Sequence, residues 1–168
     1  MVRADTANSA PASPYKASAR TRTSDTSRRY IGAVKSNAAG TALFKFRDGA
    51  RGSSVRRFWM ENPTASPFSV LSGTPTAATT ASCSAVVPVT SRLAHATLVN
   101  SSASANLYVA YGDAAFTVSS AAFHLACLIV YDTPMVDIEL NSSQQFSYIF
   151  SAAAAGPACY ITGYTEER

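Results

Sequence analysis

The chain has 168 residues, of which 47% are hydrophobic and only 14% are charged. That length suits one domain with an appended segment, and the charged fraction is well below the roughly 25% of an average soluble protein. Cys83, Cys127 and Cys159 are odd in number and form no C-x-x-C pair, which argues against a disulfide framework and a zinc site; no apolar run approaches the roughly 20 residues needed to cross a bilayer.

Charge is unevenly placed. Residues 1–60 carry 12 basic side chains against 3 acidic ones, a balance of +9, whereas residues 61–168 carry 2 against 7, a balance of −5. A basic front and an acidic rear suggest two jobs, or a front that docks on the rear of a neighbour.

In chain order, residues 1–30 hold almost no large apolar groups, and Pro11 and Pro14 interrupt any regular element. The polar start has no apolar h-region, so no signal peptide is expected. This composition predicts an extended arm that becomes ordered only against something else. Its candidate partner-binding residues are Arg20, Arg22, Arg28, Arg29 and Tyr30. Arginines in such an arm can neutralise phosphates, and the interleaved aromatics Tyr15, Tyr30, Phe44, Phe46, Phe58 and Trp59 suit stacking on single-stranded nucleic acid. Ser, Thr and Ala nevertheless dominate the arm, which favours docking on an acidic protein surface over nucleic acid.

Residues 31–67 read as a small β-rich element and a linker. The runs YIGAV and TALFKF are β-like, RDGARG is a turn, and SSVRRFWM brings Arg56 and Arg57 beside Phe58 and Trp59. Those four residues are candidate interface anchors, because aromatics and Arg dominate binding hot spots. The competing reading, which is favoured, makes Phe58 and Trp59 the core of the small element. Pro63 and Pro67 mark a sharp redirection.

From residue 68 onward the pattern is all-β, with strands expected at 68–71, 82–89, 93–100, 105–111, 123–131, 136–140, 146–151 and 158–165. Many short strands with regular turns point to an antiparallel sandwich or barrel. The apolar runs 93–99 and 107–111 flank the polar turn NSSASAN and read as a β-hairpin. FHLACLIVY has a continuous apolar middle, which suits a central strand covered on both faces.

Little in the chain points to catalysis. His95 and His124 each sit in a strand-like run, where packing is the ordinary role. A catalytic reading would pair one of them with Cys127 or a serine and with Asp132, yet no nucleophile elbow or metal-ligand spacing is present. Asp137 and Glu139 share one strand face, which reads as a solvated surface. The three cysteines read as buried free thiols. No catalytic residue, metal or cofactor is expected.

The order Arg92, Leu98, Val99, Asn100, Ser102, then Leu107, Tyr108, Val109 and Gly112, carries a resemblance. A strand-like run at 116–118 follows, then Gly156 and a terminal strand holding Ile161, Thr162, Thr165 and Glu166. This series, covering about residues 80–168, resembles a small β-sandwich module of tailed-bacteriophage virion proteins. The resemblance implies a virion component, of the capsid decoration or cement, head-fibre, or tail and neck accessory type. The overall expectation is an antiparallel β-sandwich, jelly-roll-like, over 68–168, preceded by the arm and the small β-rich element. The expected partners are a major capsid protein or other virion protein and further copies of the chain, as a dimer or trimer. Nucleic acid is a lesser candidate, and no membrane partner is expected. The competing expectation is a coat protein of a small icosahedral virus with a genome-facing arm.

Overall fold

The computed structural model describes residues 21–22, 25–29, 33–37, 39–51, 54–128 and 130–167. Among them the chain forms eleven strands and no helix: β1 (Thr21–Arg22), β2 (Asp25–Arg29), β3 (Phe46–Arg51), β4 (Ser54–Trp59), β5 (Thr79–Ser82), β6 (Leu93–Asn100), β7 (Leu107–Ala110), β8 (Leu125–Cys127), β9 (Met135–Glu139), β10 (Gln145–Phe150) and β11 (Pro157–Glu167). All pairings between them are antiparallel. One sheet has the order β5-β10-β7-β8, a second has the order β3-β4-β11-β6-β9, and β1 and β2 form a two-stranded sheet of their own.

Alternation drives the pairing. In β10 the side chains of Phe146, Tyr148 and Phe150 are buried while Gln145, Ser147 and Ile149 are half-buried, the period of two that a strand imposes. The core draws on both sheets: Leu107, Val109, Phe146, Tyr148 and Phe150 from one, and Ala94, Ala96, Leu98, Ile138, Cys159 and Ile161 from the other. The aromatics of β10 and the Ala94, Ala96, Leu98, Cys159 and Ile161 side chains of β6 and β11 belong to one continuous core. The loop 111–124 adds a second apolar layer, because Val118 packs with Tyr108 and Ala110 on the other face of β7.

The stretches 93–100 and 107–111 do not form the expected hairpin: β6 and β7 belong to different sheets. The reason lies in the linker's side chains. Buried Asn100 donates from Nδ2 to the carbonyls of Ala105 (2.9 Å) and Cys127 (3.2 Å), and its Oδ1 accepts the Ser102 N–H at 2.9 Å. Ser102 Oγ in turn accepts the N–H groups of Ser104 and Ala105. These bonds hold a compact arch that carries the chain from one sheet to the other.

Four further expectations are corrected. The segment 123–131 is not a central strand. It gives only three residues, at the edge of its sheet, after which Leu128 and Tyr131 are exposed. The strand expected at 82–89 ends at Ser82, because the Cys83 carbonyl accepts the N–H groups of both Val86 and Val87 and turns the chain. Residues 116–118 form no strand, and Val118 instead plugs the second apolar layer. At 68–71 a single bridge, Ser69 to Tyr160, replaces a strand, with Val70 N–H on the Cys159 carbonyl and Ile161 N–H on the Phe68 carbonyl.

The 31–67 region supplies β3 and β4, and β4 pairs with β11, so both strands continue the five-stranded sheet. Pro67 follows a cis peptide bond, and Phe68 behind it packs edge-on against Phe44 at 5.0 Å.

Replacing Asn100 by Ala strips a buried arch of its donor and acceptor. Asn100→Ala is expected to lower the unfolding free energy by about 2 kcal/mol, read as a reduced midpoint in urea. An unchanged midpoint would contradict this account of the linker.

Candidate functional site

The strand β11 changes the face it presents half way along. Ile161 pairs with Ala96 and Gly163 with His95, so Thr162 is an extra residue, a β-bulge. Before the bulge Cys159 and Ile161 point into the core; after it Tyr164 and Glu166 do. Gly163 is required here, because a Cβ would stand 2.0 Å from the Arg57 carbonyl oxygen.

On β4 the inward positions are Val55, Arg57 and Trp59. Trp59 packs against Phe44, Phe68 and Tyr164. Arg57, only 6% exposed, is directed at the inward face of β11, where Glu166 is 1% exposed. The guanidinium donates from Nη1 to Glu166 Oε2 at 3.0 Å and to Tyr164 Oη at 3.1 Å, and from Nε to Asp48 Oδ1 at 3.0 Å. It also lies over the rings of Phe46 and Tyr164. Burial works against the Arg57 charge, but the Tyr164 hydroxyl and the Asp48 carboxylate outweigh it and hold its pKa above the ordinary value. The Tyr164 hydroxyl is pushed up by burial, partly offset by Arg57.

Most of the cluster's remaining bonds go to the main chain of one residue, Ala33. The Ala33 N–H donates to both Glu166 oxygens, each at 3.1 Å. The Ala33 carbonyl accepts from Tyr164 Oη at 2.8 Å and from Arg57 Nη1. Thr90 Oγ1, from the β5–β6 connection, donates to Glu166 Oε1 at 2.8 Å. A buried ion pair therefore clasps the main chain at Ala33. This position also divides the charge: residues 1–32 hold 6 basic and 2 acidic side chains, while residues 33–168 hold 8 of each. The whole net charge of +4 lies upstream of the clasp.

The outward face of the same sheet carries a second cluster. His95, 5% exposed, has Nδ1 2.5 Å from Asp137 Oδ1 and Nε2 2.9 Å from Thr165 Oγ1. Arg56 Nη2 reaches Asp137 Oδ2 at 3.4 Å. The Phe58 ring stacks on the imidazole at 5.6 Å, the two residues flanking Gly163 as its partners in β4 and β6. Acid, imidazole and hydroxyl stand in the order of a hydrolytic relay. The setting differs from one. Thr165 is paired with Arg56 on one side and Leu93 on the other, so the nearby N–H groups lie in the sheet plane instead of converging on an oxyanion. The cluster reads as a cross-strand lock over β4, β11, β6 and β9.

Of the candidate anchors, Arg57 and Trp59 thus face inward and Arg56 and Phe58 outward. Trp59 takes the core role that the sequence favoured, although in the common core and not in a separate element. Among the arm candidates, Arg20 and Tyr30 lie outside the described residues; Arg22 lies in β1 and Arg28 and Arg29 in β2, their side chains also outside the described set. His124 accepts the Tyr111 N–H at 3.0 Å and stacks on that ring at 4.1 Å, while Cys127 Sγ is 3.5 Å from the Asp132 carbonyl. The partners expected for a catalytic histidine are therefore replaced by Asp137 and Thr165 for His95 and by Tyr111 for His124. Asp137 and Glu139 do share one exposed strand face. No cluster of three metal-ligating side chains occurs among the described residues. The sequence reading named Glu166 only within the resemblance, and it did not single out Asp48, Tyr164 or Thr90 as site residues. The expected turn over 47–52 is corrected: residues 46–51 form β3, and its pairing with β4 sets Asp48 opposite Arg57.

All three cysteines are buried and unpaired. Burial raises the Cys83 thiol to about 12 and Cys127 to about 11, and lifts Cys159 well above its ordinary value. The thiolate is the reactive form, so at pH 8 the folded protein is expected to resist an aromatic disulfide reagent and to react only on unfolding. Rapid labelling of the native chain would contradict this. Removing one member of the clasp strands a buried charge: Arg57→Met or Glu166→Leu is expected to cost roughly 3–5 kcal/mol, and the double variant less than the sum. Additive losses in a denaturation cycle would contradict the pairing. The chain matches no known family model, no curated protein and no solved structure, so its functional reading rests on its own geometry.

Proposed function

We propose that the chain is a non-enzymatic structural protein of a virion, a capsid cement or decoration protein of a tailed phage. In this reading the two large sheets are the layers of a jelly-roll-like β-sandwich that self-associates as a dimer or trimer on the shell. The segment upstream of Ala33 bridges neighbouring major capsid subunits. The observation that carries the reading is the division of charge at the clasp: a neutral block grips, through buried side chains, the root of a segment that holds the whole net charge. A rooted basic segment is suited to crossing a seam and docking on an acidic surface, while the block stays in place.

Two other readings differ in what they predict. A coat protein would assemble by itself into closed particles around nucleic acid. A tail, neck or fibre accessory would be present in a handful of copies, where cement is present in many.

Deletion of residues 1–30 is expected to abolish binding to mature shells while leaving the clasp and thermal unfolding intact. Binding of the full chain is expected to weaken steeply toward 1 M salt, where the screening length falls to roughly 3 Å. Unchanged shell occupancy of the truncated chain, measured by sedimentation with shells, would contradict the proposal.

A further inference from the structure

Among the described residues, the clasp meets the N-terminal segment through the main chain of Ala33. Glu166, Arg57 and Tyr164 contact the N–H and C=O of Ala33 and no side-chain feature of it. Left empty, the clasp would bury an ion pair with unmet hydrogen-bonding groups, which is expensive in a low-dielectric site. It therefore demands a peptide, but its chemistry does not specify which copy of the chain supplies one.

The connection from Ala33 to β3 shows where a copy could be exchanged. Residues 35 and 44 are joined by the Phe44 N–H on the Lys35 carbonyl, and Ser36 bridges Leu43. Between them lies an exposed turn held by local bonds. Asn37 Oδ1 accepts the Thr41 N–H at 2.9 Å, Asn37 Nδ2 donates to Thr41 Oγ1 at 3.1 Å, and the Gly40 N–H meets the Asn37 carbonyl at 2.9 Å. If that turn opens, the bonds at 33–36 and 42–44 can all re-form with a second copy. Only the turn's own exposed bonds are lost. Five extended residues span roughly 17 Å, enough to pass between adjoining blocks. This is the energetic condition for swapping an element between copies.

We propose that the Arg57–Glu166–Tyr164 clasp is an exchangeable socket that takes the Ala33 peptide of a second copy of this chain, so that copies are linked block to block through their N-terminal segments. For its role on a shell this rests on the cement reading; the exchange itself is a property of the free protein.

Two full-length variants, Ala33→Cys and Thr90→Cys, each add one thiol to the three buried ones. They are refolded together from urea and treated with a short bis-maleimide. Only exchange brings position 33 of one copy beside position 90 of another. The expected product is a covalent pair at twice the monomer mass that neither variant gives alone. No such product from the mixture, while a chain carrying both substitutions cross-links within itself, overturns the proposal. A second variant does not depend on cysteines: deletion of residues 37–42 joins Ser36 directly to Leu43, which leaves no turn with which the chain could fold back on itself. It is expected to shift the chain wholly to dimers or higher oligomers in light scattering, and a folded monomer would overturn the proposal. Interchain products from a chain that leaves shells bare would retain the socket and remove the cement reading. Shell binding with intrachain products only would do the reverse.

Discussion

The five-stranded sheet depends on one buried ion pair. Arg57 and Glu166 lie on neighbouring strands with almost no exposure, where an uncompensated pair would destabilise the fold. Compensation comes from several parts of the chain: Asp48 on β3, Tyr164 on β11, Thr90 in the β5–β6 connection and the peptide of Ala33. The pair therefore ties both ends of the described block together. It also fixes the register of β4 on β11, since a slip of one residue would turn Arg57 to solvent and strand Glu166.

The bulge at Thr162 makes this arrangement compatible with an apolar core. Upstream of it β11 lends Cys159 and Ile161 to the common core; downstream it lends Tyr164 and Glu166 to the clasp. The Thr162 hydroxyl donates to the His95 carbonyl at 3.2 Å, which pins the bulge to β6. On the opposite face His95, Asp137, Thr165 and Phe58 lock the same four strands. The sheet is thus braced by polar contacts on both faces around its glycine at position 163.

Much of the fold was legible because alternation is a local signal. β6 runs over 93–100 as its pattern predicts, and the alternation of β10 marks Phe146, Tyr148 and Phe150 as core. The buried free cysteines follow from their small, apolar surroundings. The sheet assignment of β6 and β7 was not legible, because NSSASAN serves a tight turn and an arch equally well until Asn100 finds Cys127, 27 positions away. The clasp was half legible. Val55, Arg57 and Trp59 alternate, so Arg57 belongs to the inward set, whereas the inward turn of Glu166 depends on a bulge that no local pattern announces. The arm's candidate residues lie upstream of Ala33, and the clasp gives them a fixed starting point that composition alone did not reveal.

The central claim is that the chain upstream of Ala33 works by gripping other molecules from a root held in its own or a sister block. Imaging of shells decorated with the full-length protein tests this most directly. The account predicts density that leaves a clasp at Ala33 and runs onto a neighbouring shell subunit, with Arg20, Arg22, Arg28 or Arg29 at acidic side chains. Density that instead folds residues 1–32 back over its own block, with bare shell beneath it, would contradict the account.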